Sequence, residues 1–249
     1  MARPLFLLLP PSEGKAAGGR PEGRPGSFDE ALGALRAHVV AELTRVLRTK
    51  DVAKRSAILG VRGELLERAL EASASLATST APVLPAWKRY AGVVWAGLEP
   101  SSLTPSDRRR ILVPSGLYGV TTAADPVADY RLKMSVVLGR IGRLSAFWRH
   151  EVTTAVASRA RGRTVVDLLP AEHAAAIDVD ALSGATRLIR TRFVSARGDR
   201  AVGHEAKSAK GRLARVLLDG GLDAAADFRW EGWKGQIMLD EIVVTAPGR

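Results

Sequence analysis

The chain has no cysteine among its 249 residues. That excludes disulfides, thiol catalysis and thiolate metal ligation, although it does not fix a compartment. Apolar residues never gather into a run of the roughly 18 needed to cross a bilayer as a helix. The stretch Leu5 to Leu9 is too short for a signal sequence and reads as a first strand, so a cytoplasmic protein without membrane contact is expected. The histidines, His38, His150, His173 and His204, lack metal-ligand spacing, so no metal and no cofactor is expected. Gly14-Lys15 follows a strand, but GxxxxGK[ST] is absent and no Ser or Thr follows Lys15, which excludes a P-loop nucleotide triphosphatase. Acidic residues are also few: 26 against 37 Lys and Arg, for a net charge of +11.

A strongly basic surface attracts polyanions, of which nucleic acid is the commonest. The chain is rich in Arg and Ala, as a GC-rich genome would make it. A compositional charge with a protein partner therefore remains a third reading beside the two set out below. A hydrophobic fraction of 46% allows a sizeable core. Neither a clean linker nor an internal repeat divides the chain, which reads as a single domain over 1–249. Strands are expected at about 5–9, 111–113, 164–169, 186–195 and 236–245, interspersed with helices. That pattern predicts an α/β or mixed α+β fold with a central mixed sheet flanked by helices.

Helices are predicted over about 28–48, with Ser27 and Glu30 at capping-box spacing, over 51–59, and from Gly63 to about Leu76. ILGVRGELLERAL partly matches a helix-hairpin-helix phosphate clamp, against the plainer reading of a helix–helix turn. Trp87 to Tyr90 is an aromatic-basic cluster that reads as core packing with Lys and Arg at the rim. A Gly-punctuated helix is expected after Met134, then helices over 144–161 and 204–218. Arg197 to Arg200 carries a Gly-Asp hairpin signal.

Chemistry gathers where strands end. Ligands in open α/β sheets bind beyond the C-terminal ends of strands. The segment 111–134 opens on an apolar strand and a turn, Pro114-Ser115-Gly116, and closes on Tyr130-Arg131-Leu132. Ser115, Gly116, Tyr118, Gly119 and Tyr130 are candidate pocket-lining residues, with Ser12 from the first strand end. Lys15 and Arg131 are candidate anion binders. Glu172, Tyr118 and Glu13 are candidate acid–base groups. On the helix over 204–218, Lys207, Arg212 and Arg215 lie opposite the apolar face, with Lys210 near the border, as candidate phosphate contacts. Gly211, unfavourable in a helix by about 1 kcal/mol relative to Ala, implies close approach of a backbone or a ligand.

SGLYG followed by YRL-x-M resembles the YaaA family of bacterial peroxide stress proteins. LLLPPSEGK (7–15), VVDLLPAEH (165–173) and AKSAKGRLAR (206–215) match in the same order, so the resemblance runs nearly end to end. It implies a YaaA-like, cantaloupe-type fold with a positively charged cleft that binds duplex and branched DNA. It also implies a role in limiting iron-dependent oxidative damage. Family members commonly carry Asp and Tyr at Val93 and Trp95, so no catalytic role is transferred to that block; they also carry Asn at Asp167 and Tyr at His173, which leaves His173 a weaker acid–base candidate than Glu172.

Two functions of different class follow. One is DNA binding, with Lys15, Arg131, Lys207, Lys210, Arg212 and Arg215 meeting phosphates. The other is an enzyme acting on a nucleotide, nucleobase or nucleic-acid substrate in a polar pocket built from the same motifs. Oligomeric state is not legible.

Overall fold

A computed structural model describes residues 4–21, 25–78, 81–199 and 203–248. In chain order come β1 (Phe6–Leu8), α1 (Asp29–Leu47), α2 (Val52–Leu59), α3 (Glu64–Leu76), β2 (Val83–Pro85), α4 (Ala86–Arg89), α5 (Val93–Leu98) and α6 (Pro105–Arg110). Next are β3 (Ile111–Ser115), β4 (Gly119–Thr122), β5 (Pro126–Ala128), β6 (Val137–Leu138), β7 (Gly142–Arg143), α7 (Leu144–Arg159) and β8 (Thr164–Asp167). Then follow α8 (Ala171–Ala174), α9 (Val179–Ala185), β9 (Arg187–Val194), α10 (His204–Gly220), β10 (Arg229–Trp230), β11 (Trp233–Met238) and β12 (Glu241–Thr245).

The fold is mixed α/β. Eight strands form one sheet in the order β10-β11-β12-β9-β8-β1-β3-β4. Its middle, β12-β9-β8-β1-β3, is parallel, and an antiparallel strand pair closes each side. A central parallel strand is covered on both faces, so it needs a continuous apolar run rather than alternation. β1 meets that need: Leu7 sits opposite Ile111 and Val166, and all three are fully buried. β3 lies on one side of β1 and β8 on the other. The chain therefore reverses its direction of travel across the sheet at β1, and the C-terminal ends of β3, β1, β8 and β9 share one edge.

Several expectations change. Ser27 does not cap α1; its hydroxyl donates to Asp125 at 2.7 Å, and buried Phe28 occupies the cap position. After Met134 there is no long helix but the short β6–β7 hairpin, with Gly139 and Gly142 at positive φ taking a turn that side chains resist. The closing segment is two antiparallel strands, β11 and β12, because Leu239-Asp240 turns the chain. β9 is an interior strand, paired in parallel on both sides. The expected hairpin at Arg197 to Arg200 is therefore a turn leading to α10, and Arg200 itself lies outside the described residues. Residues 79 and 80 are likewise outside, and Val83–Pro85 pairs with β5.

Gly211 has the close neighbour its helix position implied. A Cβ there would lie 2.2 Å from the Val94 carbonyl oxygen and 2.9 Å from the Gly97 Cα. A Cβ on Gly97 would in turn lie 2.8 Å from the Ser208 carbonyl oxygen. The two helices α5 and α10 thus touch backbone to backbone. Helix propensity alone makes Gly211→Ala stabilising by about 1 kcal/mol. Because backbone cannot swing aside as a side chain can, the substitution is expected to destabilise instead, by about 1–3 kcal/mol. Urea denaturation checks the sign, and a stabilised variant would refute the contact.

Candidate functional site

Buried Arg89 shapes the loop after β1. Its guanidinium donates to the carbonyls of Val127 (3.1 Å), Gly18 (2.9 Å), Pro82 (3.0 Å) and Ala16. A guanidinium has five donors and no acceptor, so a cluster of carbonyls satisfies it without a carboxylate. The loop is held again by the indole of Trp95, which donates to the Pro10 carbonyl at 3.0 Å. Lys15 bridges to Tyr90, and Ala91 donates to the Gly14 carbonyl at 3.1 Å. Gly92 lies against Ser12: a Cβ there would meet the Ser12 hydroxyl oxygen at 2.2 Å.

These ties turn the Lys15 side chain inward, where only 9% of the residue is exposed. Its Nζ donates to the Ser12 carbonyl at 2.9 Å and lies 4.1 Å from the Tyr130 ring centre and 5.7 Å from that of Tyr90. The Tyr90 and Tyr130 hydroxyls are 3.0 Å apart. Burial of the ammonium, with Arg131 nearby, brings Lys15 down to about 7 although Asp129 and Glu13 oppose the shift. Burial pushes Tyr130 up to about 12, against hydrogen bonding from Ser115 and Tyr90.

Lys15 lines a cavity of about 80 Å³ at the β1 reversal point. Ser12 and Glu13 come from the same loop, Leu59 to Val61 from the end of α2, Tyr130 to Lys133 from the segment after β5, and Glu172 and His173 from α8. Exposed Glu13 pairs with Lys133 at 3.1 Å. That hydrogen bond lowers the Glu13 pKa, the charges of Lys133, Lys207 and Arg131 add to it, and burial opposes it. Burial lowers His173, whose Nδ1 is buried with no hydrogen-bond partner among the described residues. Glu172 accepts from the Ser135 amide (3.2 Å) and hydroxyl (2.8 Å).

A second cavity, about 500 Å³, lies beyond α8 and takes Leu169 to Ala171 and Ala174 as one wall. Lys207 and Lys210 line it with Arg190, Arg192 and Phe193 of β9. Lys210 sits 5.6 Å from the Phe193 ring centre. Burial raises the Asp167 carboxyl at the end of β8, opposed by the Leu169 amide and by the charges of Lys210 and Arg190.

The remaining candidates lie elsewhere. Arg212 pairs with Glu99 at 2.8 Å, and Arg215 with Asp219 at 2.7 Å and with Glu99 at 3.9 Å. Neither lines the two cavities. Ser115, Gly116, Tyr118 and Gly119 do not line the Lys15 cavity; they sit behind its wall. The Tyr118 hydroxyl accepts from the Ala128 amide at 2.9 Å, and its ring packs edge-on against Tyr130. Gly116 admits the neighbouring segment: a Cβ there would lie 2.7 Å from the Leu132 carbonyl oxygen. The SGLYG turn thus places Arg131 without facing the cavity. Among the described residues, no group of three His, Asp or Glu side chains could hold a metal.

The family model described as peroxide stress protein YaaA matches residues 5–236. The chain belongs to the YaaA peroxide stress protein family. Among relatives, UPF0246 protein SCO2297 of Streptomyces coelicolor is 36% identical over 226 residues, covering 86% of this chain and 83% of that protein. UPF0246 protein Cgl1995/cg2186 of Corynebacterium glutamicum is 31% identical, covering 86% and 84%. UPF0246 protein TM1040_2658 of Ruegeria is 31% identical, covering 76% and 78%.

Within this YaaA family member, three of the recognised blocks meet at one place. PPSEGK supplies Lys15, YRLKM supplies Arg131 and Lys133, and PAEH supplies Glu172 and His173. Lys133 was legible only as part of that block. Arg190, Arg192 and Phe193 carried no site signal, because alternation along a strand says which face a residue takes and not what lies opposite.

The Lys15 environment has a measurable consequence. The folded-state value of about 7 lies below the unfolded value near 10.4. Between these the unfolded chain binds more protons, so this group makes stability rise with pH across that window; below pH 7 its cost is complete. Lys15→Met is expected to be more stable than the parent by roughly a few kcal/mol at pH 6, with the difference shrinking toward pH 10. Paired denaturation curves at pH 6, 8 and 10 test this, and a pH-independent difference would contradict it.

Proposed function

We propose that this YaaA family protein binds DNA, duplex or branched, along the basic trough on either side of α8, and so helps limit iron-dependent oxidative DNA damage. The supporting observation is the gathering of Arg131, Lys133, Lys207, Lys210, Arg190 and Arg192 around two cavities that share the α8 wall. They come from segments far apart in sequence, and core packing gives no reason for them to meet. Cations so arranged hold phosphates without reading bases, and binding then falls steeply with salt. The effect on iron chemistry is indirect: a bound protein excludes Fe²⁺ from the duplex, where peroxide would otherwise be reduced to hydroxyl radical.

A second reading is favoured by one observation, the buried Lys15 amine opening into a small cavity with Glu13, Glu172 and His173. A desolvated lysine is a nucleophile or base near neutral pH. On this reading the protein is an enzyme whose substrate carries the phosphate that the trough collects.

Fluorescence anisotropy with labelled duplex and four-way-junction DNA tests the first reading. Lys207→Ala/Lys210→Ala is expected to weaken binding by about tenfold or more and to reduce the salt slope by about two. Arg212→Ala/Arg215→Ala, which removes side chains already paired with Glu99 and Asp219, is expected to change affinity by less than about threefold. Equal losses in the two variants would place the DNA elsewhere.

A further inference from the structure

We propose that Lys15 is a covalent nucleophile that forms an imine with a phosphate-bearing aldehyde entering the small cavity. The inference deepens the reading of this site as one that collects phosphates, and rests on it.

The geometry is that of a reactive amine rather than a structural cation. A buried structural cation is normally held by several acceptors, as Arg89 is by four carbonyls. Lys15 instead makes one hydrogen bond among the described residues, to the Ser12 carbonyl, sits against the Tyr130 and Tyr90 rings, and lines the small cavity. Among the described residues no carboxylate pairs with it; the nearby Glu13 pairs with Lys133 instead. The low-polarity surround disfavours the ammonium, so the neutral amine is present near pH 7.

A second feature points to a ligand. His173 lines the same cavity, and its buried Nδ1 has no partner among the described residues, an unmet demand that a bound molecule can satisfy. About 80 Å³ is room for roughly five or more waters. That suits a short aldehyde chain better than a stacked base pair. Arg131 at the wall supplies a cation for the phosphate.

In the step itself, the Lys15 nitrogen adds to the aldehyde carbon and the carbonyl π pair moves to oxygen. The nitrogen then gives up its two protons, and both leave with that oxygen as water. The products are an imine and one water, with no redox change and no co-reactant. Two sources fit this chemistry: the ring-opened sugar left where DNA has lost a base, and a free sugar phosphate.

The experiment uses the full chain with sodium cyanoborohydride, which delivers hydride to the imine carbon and leaves a stable secondary amine. One arm contains a duplex with a single abasic site, the other glyceraldehyde 3-phosphate. Peptide mass spectrometry locates the adduct. The expected result is labelling of Lys15 at least about tenfold above any other lysine at pH 7, because an ordinary lysine is almost wholly protonated there. Labelling should reach half its maximum near pH 7 and disappear in Lys15→Met, whose folding is checked by circular dichroism. Adducts confined to exposed lysines, or none in either arm, would overturn the proposal without need of any variant. Anisotropy on intact duplex separates the two ideas. Binding without Lys15 labelling removes the imine and leaves the DNA reading. Labelling by glyceraldehyde 3-phosphate without duplex binding supports the imine and removes the DNA reading.

Discussion

A guanidinium with no water around it dictates where the loop after β1 can lie. Arg89 is fully buried, and each donor left without an acceptor would cost on the order of 1–3 kcal/mol, more for a charge. Its acceptors are carbonyls of Ala16, Gly18, Pro82 and Val127. Those groups belong to the loop after β1, the chain entering β2, and β5. Satisfying one side chain therefore pins three segments together. Tyr90 follows Arg89 directly, so the same anchoring sets one aromatic wall beside Lys15.

The two buried cations of this region then differ in kind. Arg89 is held by four carbonyl acceptors, and burial lowers its pKa. Lys15 has one acceptor among the described residues and two ring faces, and its pKa of about 7 leaves the neutral amine well populated at neutral pH. An arginine spreads its charge over a planar fork and keeps its proton. A lysine concentrates its charge and gives up its proton when water is removed. The residue types at 15 and 89 are thus not interchangeable, whatever their shared charge.

Net charge alone misleads about function here. Many of the arginines behind the excess of +11 are structural. Arg36 donates to the Tyr118 and Val120 carbonyls, Arg45 to buried Glu42, and Arg68 to Asp129 and the Lys15 carbonyl. Arg212 and Arg215 are occupied by Glu99 and Asp219. Position distinguishes the cations around α8: they face open cavities and not a carbonyl cluster. Two of them are also paired with acids, Arg192 with Glu241 at 3.0 Å and Lys133 with Glu13 at 3.1 Å.

The sequence by itself determined the family, the mixed α/β class, the buried strands at Leu5 to Leu9 and from Ile111, and the long helices over 29–47, 144–159 and 204–220. Those features are local or cumulative: apolar runs, helical spacing, and blocks in a set order survive without knowledge of neighbours. It also showed that Gly211 needed close company. Tertiary structure decided what the company was, since a glycine reports missing space and not its occupant. It split the last strand in two and replaced a helix by the β6–β7 hairpin, because short turns are chosen by partners in the sheet. It moved Tyr118, Ser115 and Gly116 behind the cavity wall and brought Lys133 and His173 to the front. It also divided the basic stripe of α10 into two lysines at a cavity and two arginines bound to acids. The physical reason is common to these cases. A side chain's type is written in the chain, but its desolvation and its partners depend on residues distant in sequence that only the fold brings within a few ångströms.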